Sequence, residues 1–104
     1  MCGVVGILNF EKTNNVKKKV LSSMTNSIAH RGPDDSGTII LKNAGLGNRR
    51  LAIIDLSEKG HMPMHDEKKE LWITFNGEIY NYMEIRKELL GKNYKFISNT
   101  DTEV

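Results

Sequence analysis

Hydrophobic positions in the first third of the chain follow two different periods. Residues 3–10 form a short apolar run with β-branched side chains, which is typical of a buried strand. Between residues 15 and 29, apolar side chains recur at every fourth position with lysines on the opposite side, which predicts an amphipathic helix. The apolar positions of this helix are Val16, Val20, Met24 and Ile28. Asn14 or Asn15 is the predicted N-cap.

Glycine, proline and polar residues divide the rest of the chain into further short elements. Residues 30–37 (HRGPDDSG) and the polar residues 57–69 predict loops. The predicted strands are 38–42, 46–55, 71–76 and 94–97. A second helix is predicted over 79–90, with Gly91 as the first residue past its end. Strands accompanied by only two helices predict a mixed α+β fold.

The length and the C-terminal end together indicate one incomplete domain. A chain of 104 residues has room for a single domain only. Residues 98–104 (SNTDTEV) carry no stop signal, and 102–104 have the composition of a helix that has just begun. We therefore expect the chain to be cut inside a domain.

Composition and charge exclude several classes of partner and site, and they add no positive indication of function. A formal net charge of +2 with both signs interleaved gives no argument for nucleic acid or a membrane surface as partner. No apolar run reaches the roughly 18–20 residues of a transmembrane helix, and the N-terminus lacks the basic region of a signal peptide. A single cysteine excludes a disulfide framework and a thiolate-rich zinc site. The expectation is a soluble cytoplasmic protein.

The single cysteine, Cys2, directly follows the initiator methionine. Removal of Met1 before a small residue would leave Cys2 with a nucleophilic thiol and a free α-amine on the same Cα. Such an amine, with a reference pKa of about 7.7–8.0, can act as the general base for the thiol. A free cysteine is more often a small buried hydrophobic residue. Position alone leaves both interpretations open.

Two polar segments offer groups that could bind a polar substrate. Asn76, Gly77 and Glu78 follow a predicted strand. Asn-Gly commonly forms a hairpin turn, but an Asn amide beside a backbone N–H can also form an oxyanion hole. Arg49 and Arg50 are either solvated or a bidentate clamp for a carboxylate.

The remaining candidates are an acid near the C-terminus and the histidines. Asp101 could cap a following helix or hold a substrate ammonium group. His61 and His65 lie four residues apart, but Pro63 between them opposes a helix, so no metal site is predicted.

The order of these segments is more specific than any one of them. Met1-Cys2-Gly3 opens an apolar strand, and HRGPDDSG, RRLAIIDLSEKGHMPM, FNGEIYNY and TDTEV follow in that order. This succession closely resembles the N-terminal glutaminase domain of glutamine-hydrolysing asparagine synthetases, a class II glutamine amidotransferase domain. The resemblance covers residues 1–104 as the N-terminal portion of such a domain. It implies the N-terminal-nucleophile hydrolase fold, a four-layer α-β-β-α sandwich of antiparallel sheets.

The resemblance also implies roles for individual residues. Cys2 would attack the side-chain amide of glutamine, with its own α-amine taking the thiol proton. The glutamine-binding positions that it implies are Arg50 for the α-carboxylate, Leu51, Ala52, Ile53 and Ile54 for the pocket wall, Asn76 and Gly77 for the oxyanion hole, and Glu78 and Asp101 for the α-amine. This assignment is consistent with simple electrostatics, since a free amino acid carries one carboxylate and one ammonium group.

Partners and cofactors are implied in the same way. Glutamine would be the substrate, and its ammonia would pass to a C-terminal synthetase domain that activates aspartate with ATP and Mg²⁺. No cofactor or metal is expected within the 104 residues, and a homodimer is one expected assembly of the full-length protein. The 104 residues alone are expected to have little or no activity.

At two positions the residue differs from the one that is usual in the family. Two alternatives to the main interpretation also stay open. Asn48 stands where the family often has histidine, and Met62 stands where it has glutamine. The chain could belong to a related amidotransferase that uses another acceptor. It could also be a truncated, non-catalytic module.

Overall fold

Three antiparallel strands form the main sheet of the computed structural model, which describes residues 1–104. In chain order the strands are β1 (Gly3–Leu8), β2 (Asp35–Leu41) and β3 (Ala44–Arg50). The central strand is β3, which pairs with both of the others. A helix, α1 (Lys18–Ser27), connects β1 to β2 and packs on one face of this sheet. The expected α+β class with antiparallel sheets is confirmed.

The remaining elements are short. They are β4 (Met64–His65), β5 (Trp72–Ile73), α2 (Tyr82–Gly91) and two turns of 3-10 helix at Ala29–Arg31 and Glu58–Gly60. The strands β4 and β5 form a separate antiparallel pair. No side chain of α2 is buried, so this helix lies at the periphery. Neither helix is long and apolar enough to cross a membrane.

The residues of α1 that face the sheet are only partly the predicted ones. Val16, just before the helix, is buried as expected, but Val20 is 47% exposed, and Leu21 and Thr25 are the fully buried residues. Gly47 of β3 makes room for them, because a Cβ there would lie 2.3 Å from the hydroxyl oxygen of Thr25. That hydroxyl donates to the carbonyl of Leu21 at 2.8 Å, so its burial leaves no unpaired donor.

The start of α1 also differs from the prediction. The N-cap is Lys17, which makes no side-chain capping bond. The amide of Val16 donates to the carbonyl of Lys42 at 2.8 Å, so the segment before the helix is bound to the β2–β3 turn. The prediction of Asn14 or Asn15 as the cap is wrong because these residues lie in that bound segment, outside the helix.

The strand β3 ends at Arg50, although a strand was predicted over 46–55. The chain leaves the sheet because its polar groups find other partners. The carbonyl of Arg50 accepts from the amide of Asp34 at 3.0 Å, and the amide of Ala52 donates to the Asp34 carboxylate at 2.8 Å. The backbone beyond Arg50 is thereby bound to a loop instead of a strand.

Three other predicted boundaries are wrong in part. The strand β2 begins at Asp35, inside the predicted loop 30–37, because Asp35 pairs with β3. The predicted loop 57–69 contains a 3-10 turn and β4. The strand predicted over 71–76 is only two residues long, because its partner β4 is equally short.

The predictions after the second helix also need correction. Gly91 is the last residue of α2, and Asn93 takes the left-handed backbone conformation with a φ of 68°. The predicted strand 94–97 is not formed. The amides of Ile97 and Ser98 instead donate to the carboxylate of Glu103, each at 2.6 Å, which satisfies this backbone locally.

A glycine in β2 allows a loop to cross the sheet face that α1 leaves open. Gly37 lies opposite Asn48 of β3. A Cβ at Gly37 would lie 2.1 Å from the carbonyl oxygen of Met62 and 2.6 Å from the ring nitrogen Nε2 of His61. Because the nearer atom belongs to the backbone, the loop cannot yield by a rotamer change.

We expect Gly37→Ala to destabilise the protein by about 1–3 kcal/mol, the usual cost of forcing extra atoms into a packed site. Thermal unfolding of the full gene product measures this as a lower Tm. Gly6→Ala is the matched control, because a Cβ at Gly6 meets no atom closer than 3.8 Å. Equal Tm values for the two variants would contradict this account of the loop.

Candidate active site

Cys2 lies at the point where β1 begins and β3 ends. The register pairs Gly3 with Arg49, so Cys2 stands beside Arg50 at the end of the sheet. The sulfur contacts the backbone of Leu51 twice: the amide donates to it at 3.3 Å, and the thiol donates to the carbonyl at 3.6 Å. The two contacts hold the sulfur against the backbone at the point where the chain leaves β3.

A pocket beside this sulfur gathers most of the residues that the sequence nominated. Its lining includes Cys2, Arg50, Leu51, Ile53, Ile54, Gly77, Glu78 and Asp101. The pocket therefore presents a thiol, one guanidinium and two carboxylates around the same space. Segments from four distant parts of the chain meet there, namely the start of β1, the end of β3, the loop after β5 and the C-terminal turn.

Asn76 and Ala52 are the two nominated residues that do not line the pocket. Asn76 is exposed, while its neighbour Gly77 lies in the pocket wall. Ala52 lines an adjacent depression, where its amide donates to Asp34. The oxyanion role of Asn76 stays a prediction.

Arg50 is 6% exposed, and its guanidinium already binds backbone carbonyls. One terminal nitrogen, Nη1, donates to the carbonyl of Ser57 at 3.1 Å, and the other, Nη2, donates to those of Ile54 and Asp55. Gly60 makes this possible, since a Cβ there would overlap the guanidinium. A guanidinium carries five N–H donors, so donors remain for a substrate carboxylate.

Asp101 is 7% exposed and accepts a hydrogen bond from the amide of Ile79 at 2.9 Å. This bond ties the C-terminal turn to the segment that directly follows Glu78. The side chain of Asp101 does not cap the turn that begins there. That position is taken by Thr100, whose hydroxyl accepts from the amide of Glu103 at 3.4 Å.

Sequence analysis missed several residues of the pocket. Met62, Phe75, Thr100 and Thr102 complete its wall. Their proximity comes from tertiary packing of distant segments, so no local pattern could identify them. Asp55 was also missed, although an Asp side chain in a polar loop commonly accepts from the backbone two residues on.

Asp55 connects the loop around Arg50 to the C-terminal turn. Its carboxylate accepts from the amide of Asn99 at 2.8 Å and from the amide and hydroxyl of Ser57. The Asn99 amide, followed by the two Ser57 groups and the charge of Arg50, lowers the pKa of the Asp55 carboxyl to about 2. The charged form of Asp55 is therefore the one that this arrangement favours.

Asn48 and Met62, the two residues that differ from those usual in the family, are in contact with each other. The side-chain amide nitrogen of Asn48 lies 3.7 Å from the sulfur of Met62. Both residues are buried, and Met62 also lines the pocket. The two unusual residues therefore pack against each other beside the pocket.

The histidines have other partners than a metal. His61 Nδ1 lies 2.7 Å from the carboxylate of Asp35, and His65 Nδ1 lies 2.8 Å from the carbonyl of Asp66. No group of three or more His, Cys, Asp or Glu side chains is arranged to hold a metal ion. Neither helix is preceded by a glycine-rich loop. The expectation that ATP and Mg²⁺ are bound outside residues 1–104 stays a prediction.

Comparisons with known proteins identify the domain family of this chain. A family model described as a glutamine amidotransferase domain matches residues 1–104. The chain is 44% identical over its whole length to the glutamine-hydrolysing asparagine synthetase 1 of Bacillus subtilis, of which the alignment covers 17%. It is 38% identical over its whole length to the glutamine-hydrolysing asparagine synthetase 1 of Arabidopsis thaliana, again over 17% of that protein. The chain spans less than a fifth of the length of these two relatives.

We expect the Asp55 carboxylate to make stability depend on pH in the acid range. A carboxyl whose pKa is lowered on folding contributes stability that is present above its unfolded value of 3.8 and is lost as the pH falls through about 2. Asp55→Asn should therefore lower the Tm at neutral pH, and the difference from the parent should shrink between pH 4 and pH 2. Thermal unfolding across this range measures it.

Glu67→Gln serves as the control, because Glu67 is exposed and takes part in no side-chain hydrogen bond of the structure. A pH dependence of the Asp55→Asn variant that parallels the parent throughout would show that the Asn99 and Ser57 contacts carry no stability.

Proposed function

The chain belongs to the glutamine amidotransferase domain family, and from that premise we propose that it hydrolyses the side-chain amide of glutamine to glutamate and ammonia. The observation that carries this proposal is the single pocket that joins the Cys2 thiol to one cation and two carboxylates. These are the groups that the two ends of a free amino acid and its side-chain amide require.

Charge complementarity orients the substrate in this proposal. The α-carboxylate of glutamine pairs with the guanidinium of Arg50, and the α-ammonium lies between Glu78 and Asp101. Arg50 and Asp101 are more than nine-tenths buried, so their charges act in a medium less screened than water. This pairing leaves the side-chain amide directed toward Cys2.

The chemistry proceeds through a covalent intermediate on Cys2. The sulfur attacks the amide carbon, and the negative charge that develops on the oxygen is stabilised by the Gly77 N–H and the Asn76 amide. The α-amine of Cys2 takes the thiol proton and returns it to the leaving nitrogen, so that ammonia departs and a thioester remains. Water then hydrolyses the thioester, giving glutamate and the free thiol. This sequence needs the α-amine of Cys2, and therefore removal of Met1.

The ammonia acceptor is proposed from the relatives. Both are named asparagine synthetases, so we propose that the ammonia amidates aspartate in an ATP-dependent reaction, with ATP and Mg²⁺ held by residues outside 1–104. A homodimer of the full-length protein and a cytoplasmic location, where a free thiol stays reduced, belong to the same proposal.

The four-layer sandwich is proposed for the complete domain. On the main sheet, Val4, Leu8 and Leu41 lie on the face opposite α1 and are 45%, 64% and 41% exposed. Apolar side chains on an open sheet face favour burial against a second layer. Residues 1–104 would then be the N-terminal portion of the domain.

Cys2→Ala is expected to abolish glutamate release from glutamine in the full gene product, because Cys2 supplies the thiol of the pocket. Asparagine synthesis from aspartate, ATP and free ammonia should persist, since it bypasses Cys2. Cys2→Ala should also prevent the covalent adduct with a glutamine-analogue diazo ketone, which intact mass spectrometry detects. Retained glutaminase activity in Cys2→Ala would refute the proposal, and an unlabelled parent would favour a non-catalytic module.

The α-amine requirement is tested by two forms of the same protein. One is released from a fusion so that Cys2 is the first residue, and the other keeps one additional residue before it. Only the first should hydrolyse glutamine, because only there does the base share the Cα of the nucleophile. Equal activity of both forms would exclude the α-amine as the base.

Asn76→Ala is expected to lower kcat for glutamine hydrolysis about 10²–10³-fold, the usual effect of removing one oxyanion-hole donor. Steady-state ammonia release measures this. Asn81→Ala is the matched control, because Asn81 is exposed in the same loop and makes no side-chain capping bond. If the two variants keep similar kcat values, the oxyanion is stabilised by other donors.

A further inference from the structure

Asn48 occupies the centre of the sheet face that carries Cys2. It lies on β3 opposite Val4 of β1 and Gly37 of β2, and it is 1% exposed. Side chains alternate along a strand, so Cys2, Val4 and Asn48 share one face of the sheet. Asn48 therefore lies on β3, directly beside β1, the strand that follows Cys2.

The side-chain amide of Asn48 also reaches the segment that carries the oxyanion-hole residues. Its nitrogen Nδ2 donates to the hydroxyl of Thr74 at 2.8 Å. Thr74 follows the last residue of β5 and lies two residues before Asn76. This hydrogen bond joins β3, the strand paired with β1, to the Asn76–Gly77 segment across 26 positions of sequence.

Stability alone does not explain an asparagine at this position. The other polar atom of its amide, Oδ1, is buried without a partner. A half-satisfied buried amide is less favourable than an apolar side chain of the same size. What the asparagine supplies and an apolar residue does not is the directional bond to Thr74.

We propose that Asn48 is a positioning residue that sets the place of the Asn76–Gly77 oxyanion donors relative to the Cys2 sulfur. The inference rests on the proposed glutaminase function. Asn48 touches neither the substrate nor the reacting atoms, and it acts through Thr74. A displacement of donors by about 1 Å can lower a rate by up to 10²-fold, so loss of this one bond should affect catalysis more than binding.

The test compares Asn48→Leu, Thr74→Val and the double variant in the full gene product. Each single variant removes one partner, and we expect kcat for glutamine hydrolysis to fall between about tenfold and a hundredfold with KM changed less than twofold. The double variant should be no slower than the worse single variant, because all three lose the same bond. Thr38→Val, at an exposed threonine of β2, is the control for the threonine change.

A second readout separates positioning from general damage to the site. Alkylation of Cys2 by iodoacetamide needs the thiol but no oxyanion donors, so its rate should match the parent in Thr74→Val. If Asn48→Leu fails to fold, Thr74→Val alone decides, because valine has the shape of threonine and the position is only part-buried. A Thr74→Val variant with parental kcat, or multiplicative effects in the double variant, would overturn the proposal.

The two levels of proposal fail in different ways. A parent protein without glutaminase activity overturns the proposed function and this inference with it. An active parent whose kcat is insensitive to Thr74→Val overturns the positioning role alone.

Discussion

The buried guanidinium of Arg50 is the constraint on which the rest of the site depends. A charged side chain that is 6% exposed needs polar partners, and here the carbonyls of Ile54, Asp55 and Ser57 supply them. To bring those carbonyls to one point, the chain leaves β3 at Arg50 and curls around the cation, with Asp55 in a positive-φ conformation of 45°. The curl forms one wall of the pocket and places the backbone of Leu51 against the Cys2 sulfur.

The same curl organises the opposite wall through Asp55. Its carbonyl meets Arg50, while its carboxylate meets the amide of Asn99. Two residues further on, Asp101 accepts from the amide of Ile79, just after the Gly77–Glu78 segment. The cation of one wall is therefore connected by three polar contacts to the Gly77–Glu78 segment of the other. A substitution at any of these residues should therefore shift the position of both walls of the pocket.

The residues of the site that belong to the ordered motifs could be predicted from the sequence. Features that depend on contacts between distant segments could not. The succession of motifs nominated Arg50, Glu78 and Asp101, and the structure places all three in the pocket with Cys2. The limits of β3 could not be foreseen, because they are set by side-chain carboxylates and a buried cation instead of by periodicity. The buried side of α1 was also missed in part. It follows the space left by Gly47, which admits the polar Thr25 in preference to Val20.

Hydrogen bonds, more than apolar packing, hold the site in shape. Apart from glycines and one proline, three hydrophobic residues and seven polar or charged residues are buried in the 104 residues. Most of the polar ones, such as Asn48, Arg50 and Asp101, lie at the pocket or directly behind it. Apolar contacts are non-directional and tolerate sliding, but a buried hydrogen bond fixes both distance and angle. A site that holds a thiol, a cation and two carboxylates in one geometry depends more on the second kind of contact. Under the proposed function, this polar interior is what preorganises the site for catalysis.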